Sequence, residues 1–269
     1  MLGLLVRLSE YSPAFRRFLW RRWYQYLAGY DVSYWHFMNY GYEPLEPSGE
    51  RLELLPSDEP NRYSIQLYHQ VASAVELRGL TIAEIGSGRG GGSSFVHRYH
   101  KPASTTGLDF SAKAVRFCQR THQLPGLSYV QGDAERQPFE SASLDAVLNV
   151  ESSHCYGSMP RFVGEVQRVL KPGGHFLFAD FRVPEVAAEL PRVFEQAGLE
   201  IVEHQEITAE VLRALSLDSE RKLKLLEQHV SSRWLPTFRR FAAIEGSDVF
   251  EHFTNGTFVY HRYACRKPG

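Results

Sequence analysis

The chain has 269 residues, 43% of them hydrophobic, enough to bury one large core with or without an appendage. Its 30 Lys and Arg against 31 Asp and Glu leave a formal net charge of −1, which removes a global basic field and, with it, nucleic acid as an expected partner. Three widely spaced cysteines, Cys118, Cys155 and Cys265, form no C-x-x-C pair, so neither a disulfide framework nor a zinc site is expected, and the thiols suit a reducing, cytoplasmic compartment.

The chain opens with an apolar stretch that Arg7 and Glu10 interrupt before a secretory core could form. Nowhere does it approach the roughly 18 uninterrupted apolar residues of a membrane span. Arg16, Arg17, Arg21 and Arg22 alternate with Phe15, Phe18, Trp20 and Trp23, the mixture that interfacial helices use. Residues 1–60 are therefore expected to form a helical lid that packs its aromatic side on the domain or over its pocket, with peripheral membrane contact as the second reading. Residues about 41–60, rich in Pro, Glu and Gly, read as a surface connector.

From about Leu80 to Asp180 short β-branched runs alternate with amphipathic ones, the pattern of a parallel sheet with crossover helices. Strands are predicted over Leu80–Ile85, Ser104–Asp109, Leu127–Gln131, Leu144–Asn149 and His175–Asp180. Helices are predicted over Ser111–Gln123, with Ser111 as N-cap, and over Met159–Leu170, where Phe162, Val163, Val166, Val169 and Leu170 form one stripe. Leu199–Glu206 and Gly256–Ala264 read as two further strands, the second preceded by the turn signal Asn255–Gly256. About 50 residues between them, 208–255, are too long for a plain loop and are expected to be a second, helical lid. The fold class is α/β, a doubly wound sheet of seven strands.

The stretch "AEIGSGRGGG", Ala83–Gly92, follows the first strand and carries five glycines in seven residues. Gly86, Gly88 and Gly91 spell the dinucleotide fingerprint G-x-G-x-x-G; Glu84, Gly86, Gly88 and Gly90 spell E-x-G-x-G-x-G. Both patterns expect a carboxylate ending the second strand for ribose hydroxyls, and Asp109 stands there. Discrimination comes from "GDAERQPF" (132–139), "LDAVLNVESSHCY" (144–156) and "VLKPGGHFLFADF" (169–181). With the second glycine pattern, these resemble in order and spacing the motifs of class I S-adenosylmethionine (SAM) methyltransferases, across about residues 62–182. A nicotinamide oxidoreductase has no reason to carry "GDAE" and "LKPGG". "FMNYGYEP" (37–44) and "NVESSHCY" (149–156) narrow the resemblance to a subgroup containing phthiotriol and phenolphthiodiolone dimycocerosate O-methyltransferases, rebeccamycin-type sugar O-methyltransferases and, more distantly, sterol C-methyltransferases.

That resemblance implies SAM as cofactor, leaving as S-adenosylhomocysteine. Gly86, Ser87, Gly88 and Gly90 would let the methionine end approach the backbone at a helix N-terminus. Asp109 would hold the ribose hydroxyls, Phe110 would pack on adenine, and Asp133 with the Ala134 backbone would meet the adenine edge. Tyr40 and Asn149 belong to the same expected cofactor set, and Tyr40 with Tyr42 would close over the site or serve as a hydrophobic hinge. Glu84 is either an orienter near the methionine ammonium or a buried structural carboxylate; Asp109 and Asp133 have bland readings as an N-cap and a turn aspartate.

Methyl transfer to a hydroxyl needs alignment and a proton acceptor. The resemblance gives that role to His154, with Asp180 as its orienting carboxylate and Glu151 beside them; a loop histidine and a capping aspartate are the structural alternatives. The sequence reading is O-methylation of a polyketide, lipid-like, phenolic or glycosylated small molecule. C-methylation of an isoprenoid or aromatic carbon, with Glu151 stabilising a cation, and a non-catalytic binding subunit are the alternatives. Transfer from a sulfonium needs no metal, and His97 and His100, three apart, lack a carboxylate partner at suitable spacing, so no metal is expected.

Overall fold

The computed structural model describes residues 35–46 and 52–269, so the basic aromatic helix expected near the N-terminus lies outside the described residues. Seven strands form one sheet in the order β3-β2-β1-β4-β5-β7-β6. They are β1 (Thr81–Ile85), β2 (Ser104–Asp109), β3 (Leu127–Gln131), β4 (Leu144–Val150), β5 (Leu170–Arg182), β6 (Glu200–Glu206) and β7 (Val259–Arg266). The first five pair in parallel, and β7 runs antiparallel to both β5 and β6. Strand order reverses between β1 and β4, so the loops leaving their carboxyl ends flank one crevice, where ligands bind in sheets of this type.

The central strands β1, β4 and β5 bury both faces, and the two-residue period of the side chains divides their apolar residues between two cores. Leu148 and Leu177 join Ile65, Phe95, Val96 and Val211 in one cluster; their neighbours Val147, Phe176 and Phe178 join Phe162, Val166 and Phe194 in the other. The first core is covered by α1 (Arg62–Ala72), α2 (Gly91–His100) and α7 (Thr208–His229). The second is covered by α4 (Met159–Val169) and α6 (Leu190–Gln196), while α3 (Ala112–Thr121) packs on β2 and β3. Ser111 caps α3 through its hydroxyl, which accepts from the Ala114 N–H at 3.3 Å. The short α5 (Pro184–Ala187) follows β5. Between β6 and β7 lie α7, α8 (Leu235–Phe241) and α9 (Asp248–Thr254).

Two strand ends differ from the sequence reading by three residues or more. β5 begins at Leu170 rather than His175, taking Lys-Pro-Gly-Gly into the sheet across a register shift opposite Leu144–Ala146. Gly174 permits this, because a Cβ there would stand 2.9 Å from the Lys171 carbonyl and 3.0 Å from that of Asp145. β7 begins three residues late because Asn255–Gly256 turns the chain out of α9, with Gly256 at φ 76°. No helix among the described residues is long and apolar enough to cross a membrane.

Phe162 joins core to crevice: it is fully buried and meets the Tyr156 ring edge-on at 4.9 Å and Phe176 at 5.8 Å. Phe162→Ala should cost about 3–5 kcal/mol of stability by denaturant unfolding; a loss under about 1 kcal/mol would mean that the site collapses around the cavity.

Candidate active site

β1 ends at Ile85, paired with Leu108, and the chain turns into the glycine loop beside Asp109. Gly86, at φ 79°, could carry no side chain: its Cβ would lie 2.3 Å from Ser152 Oγ and 2.7 Å from the Tyr156 hydroxyl. Gly90, at φ 78°, is equally confined by the Tyr129 hydroxyl at 2.7 Å. The loop folds on its own hydrogen bonds: the Gly86 and Ser87 N–H groups donate to the Leu108 carbonyl and that of Gly90 to Ser87. What these residues present is therefore bare surface.

That surface borders a cleft of about 1260 Å³, counted to its open mouth. Gly86, Ser87 and Gly88 form one side, Asp109 and Phe110 the next, and Asp133 and Ala134 a third; Glu151, Ser152, Cys155 and Tyr156 form the side toward β4, and Phe37–Asn39 cross the remaining one. Asp109 accepts from the Gly88 N–H at 2.9 Å and the Ser111 N–H at 2.7 Å, one on each oxygen. Burial pushes its carboxyl up to about 6 despite those two bonds. Asp133 accepts from the Glu135 N–H at 3.0 Å, shaping the turn after β3.

Four expected cofactor contacts, Tyr40, Glu84, Gly90 and Asn149, stand off this wall. Glu84 is buried behind the loop, accepting from the Tyr68 hydroxyl at 2.6 Å and from the Ser93 hydroxyl, and burial raises it to about 7. Asn149, fully buried, donates to the Ile85 carbonyl and Ser152 Oγ, each at 2.8 Å, and to the Tyr156 hydroxyl at 3.0 Å, so it locks the residues that face Gly86. The Tyr40 ring packs between Phe181 and Phe253, with centroids 5.4 and 5.5 Å away.

Beyond β4 the chain makes a tight turn, with Glu151 in the left-handed region at φ 48°. Glu151 Oε2 accepts from the Tyr40 N–H at 2.9 Å and the Tyr260 hydroxyl at 3.1 Å, and burial pushes the carboxyl up to about 8. His154 and Asp180 meet as the sequence expects, Nδ1 to Oδ1 at 2.8 Å. Burial alone would lower the imidazole, but the Cys155 sulfur and the Asp180 carboxylate outweigh it and raise it to about 10. His154 is therefore protonated at neutral pH. It is not among the residues that line the cleft, although Glu151 and Cys155 are.

The sequence reading passed over Ser152, Cys155 and Tyr156 on that wall, and Arg182, which pairs with Asp180 at 3.1 Å. All but Arg182 sit in "NVESSHCY", where Ser152 and Tyr156 at i and i+4 were the available signal; Arg182 follows Asp180 by two, the same-face spacing of a strand.

A methyltransferase-domain family model matches residues 83–178. The phthiotriol/phenolphthiotriol dimycocerosates methyltransferase of Mycobacterium leprae is 41% identical over 257 residues, covering 93% of this chain and 92% of that protein. The chain belongs to the SAM-dependent methyltransferase family. A fatty-acid O-methyltransferase of Mycolicibacterium smegmatis is also 41% identical, covering 86% of this chain and 83% of that protein. Among solved structures, the geranyl diphosphate C-methyltransferase of Streptomyces coelicolor A3(2), determined with S-adenosyl-L-homocysteine, superposes with a TM-score of 0.62 at 18% identity, over 91% of this chain and 97% of that one. At that identity the likeness is one of fold, and the fold of this methyltransferase is the seven-stranded class I sheet.

The imidazole charge depends on Asp180, so the pair's stabilisation is complete below the ordinary pKa of 6.5 and fades as pH rises through about 10. In Asp180→Asn, His154 should titrate about one to three units lower by ring-proton NMR; an unchanged titration would place the source of the shift elsewhere.

Proposed function

We propose that this methyltransferase moves the SAM methyl group to an oxygen of a lipid-like, polyketide, phenolic or glycosylated small molecule, with SAM in the glycine-loop cleft. The observation that carries the reading is the cleft itself, where a side-chain-free loop and a ribose-ready carboxylate meet across from a buried acid. Two relatives at about 40% identity support the acceptor class: one is named for phthiotriol and phenolphthiotriol dimycocerosates, the other as a fatty-acid O-methyltransferase.

The residues fit the cofactor. Asp109 uses one lone pair of each oxygen on backbone N–H groups, and a carboxylate has about four acceptor positions, so two remain for the ribose hydroxyls. Ser87 Oγ is buried without a hydrogen-bond partner among the described residues, a polar atom of the kind a bound ligand satisfies. Phe110 offers its ring to adenine, and Asp133 and the Ala134 backbone flank its edge. Bound SAM supplies a methyl group on a positively charged sulfur that is already a good leaving group.

The protein's remaining task is the hydroxyl proton. The resemblance assigned it to His154, but an imidazole raised to about 10 and held by Asp180 has no free capacity for a proton at neutral pH. Glu151 lines the cleft, and its pKa of about 8 makes its carboxylate a stronger base than an ordinary one. We assign the proton to Glu151, with the His154–Asp180 pair as the fixed charge beneath it. A base of raised pKa acts only once ionised, so the transfer rate should climb with pH through about 8.

Isotopically labelled SAM, a lipid extract and four proteins test this. Asp109→Ala should weaken S-adenosylhomocysteine binding at least about tenfold, for a lost charged hydrogen bond. Glu151→Gln should leave that affinity intact and lower transfer by roughly 10²–10⁴. A rate unaffected in Glu151→Gln but lost in His154→Asn would return the proton to the imidazole. Label located on carbon by NMR would replace O-transfer with C-transfer.

A further inference from the structure

A second chamber, about 850 Å³ counted to its mouth, lies between α7, α8 and residues 35–40. Its walls are largely apolar, with Phe37, Leu225, Leu226, Phe238 and Phe241 among them. It shares Phe37, Met38 and Asn39 with the glycine-loop cleft, so the two spaces meet across a single stretch of chain. Nothing assigned above to SAM or to the proton explains it.

Two polar groups in this apolar wall stand out. Asp218, 2% exposed, is taken by Arg221 in a fork, Nε to Oδ1 at 2.5 Å and Nη2 to Oδ2 at 2.7 Å. Lys222 reaches the same carboxylate only at 3.6 Å and the Tyr40 carbonyl only at 3.5 Å, although its side chain is just 15% exposed. One carboxylate thus faces two cations and closes on one of them, leaving the Lys222 ammonium with long contacts in an apolar chamber. Burial lowers the Lys222 pKa, the direction that a bound anion would reverse. The second group is Asn39, 7% exposed: its amide donates to the Ser64 carbonyl at 3.2 Å, while its Oδ1 is buried on the shared wall without a partner among the described residues.

We infer that this chamber binds the hydrocarbon chain of an acidic amphiphile, a hydroxylated long-chain carboxylate, with the Lys222 ammonium pairing its acid group and Asn39 Oδ1 accepting from its hydroxyl, which is delivered toward the cleft. The inference rests on the methyl-transfer reading, of which it names the acceptor class. It makes Lys222 a specificity residue and not a catalytic one.

The test is calorimetric titration of laurate and of methyl laurate into protein saturated with S-adenosylhomocysteine. Laurate should bind wild type more tightly than its ester. Lys222→Met should weaken laurate at least about tenfold, as loss of one partner of a buried charge pair does, and leave methyl laurate unchanged. Lys222→Arg should keep most of the laurate affinity, and Leu226→Trp, which fills the chamber, should weaken both ligands. S-adenosylhomocysteine affinity should stay constant throughout, showing that each variant is folded. Equal binding of acid and ester to wild type, or laurate binding indifferent to Lys222→Met, would overturn the anion assignment. Displacement of laurate by S-adenosylhomocysteine would move the ligand to the cleft. Wild type that binds laurate but no S-adenosylhomocysteine would instead sink the reading on which this one rests.

Discussion

Asp180 is a fully buried carboxylate on which the active-site wall depends. Such a charge is tolerated only when its lone pairs are filled and its field answered. Oδ1 accepts from His154 Nδ1 and, at 2.9 Å, from the Phe181 N–H; Oδ2 accepts from Ser153 Oγ at 2.7 Å and the His154 N–H at 3.0 Å, with Arg182 at 3.1 Å. Burial pushes its pKa up, but Arg182 and His154 more than offset that and hold it well below the usual carboxylate range. Through these bonds one atom group of β5 pins the turn after β4. Glu151, Ser152, Cys155 and Tyr156 reach the cleft because that turn is fixed.

Four of the acids around the crevice, Asp180, Glu84, Glu151 and Asp109, show how environment separates identical chemistry. Asp180 has a guanidinium and an imidazolium and stays ionised. Glu84 and Glu151 receive hydrogen bonds from hydroxyl or backbone groups, which do not offset desolvation, so their pKa values rise. Asp109 is intermediate, with two backbone donors and one side on the cleft. Cation proximity, more than hydrogen-bond number, sorts them.

The two cavities are separated and joined by residues 35–40. This stretch is anchored at several points: the Trp35 carbonyl accepts from Arg89 at 2.5 Å, the His36 carbonyl from the Gly91 N–H at 3.1 Å, and the Tyr40 N–H donates to Glu151. One end is thus tied to the start of α2, beside the glycine loop, and the other to the acid assigned the proton. Motion of this segment would register at both.

Residue order alone determined the sheet and its ligand end, because short β-branched runs, amphipathic stripes and a glycine loop are local signals that hydrophobic burial enforces. Seven strands were legible, and so were Asp109 at the end of β2 and the meeting of His154 with Asp180. The strand boundaries at Leu170 and Val259 were not, since a bulge closing at Gly174 and a turn leaving α9 depend on neighbouring strands. Nor were the positions of Glu84 and Asn149 behind the loop, of Tyr40 outside the cleft, or of Lys222 in a chamber: facing direction is set by what packs on the other side. Tertiary structure also set the proton affinities of the groups at this wall. An imidazole and a carboxyl have ordinary pKa values in a sequence, and only burial together with a charged neighbour moves His154 up to about 10 and Glu151 up to about 8.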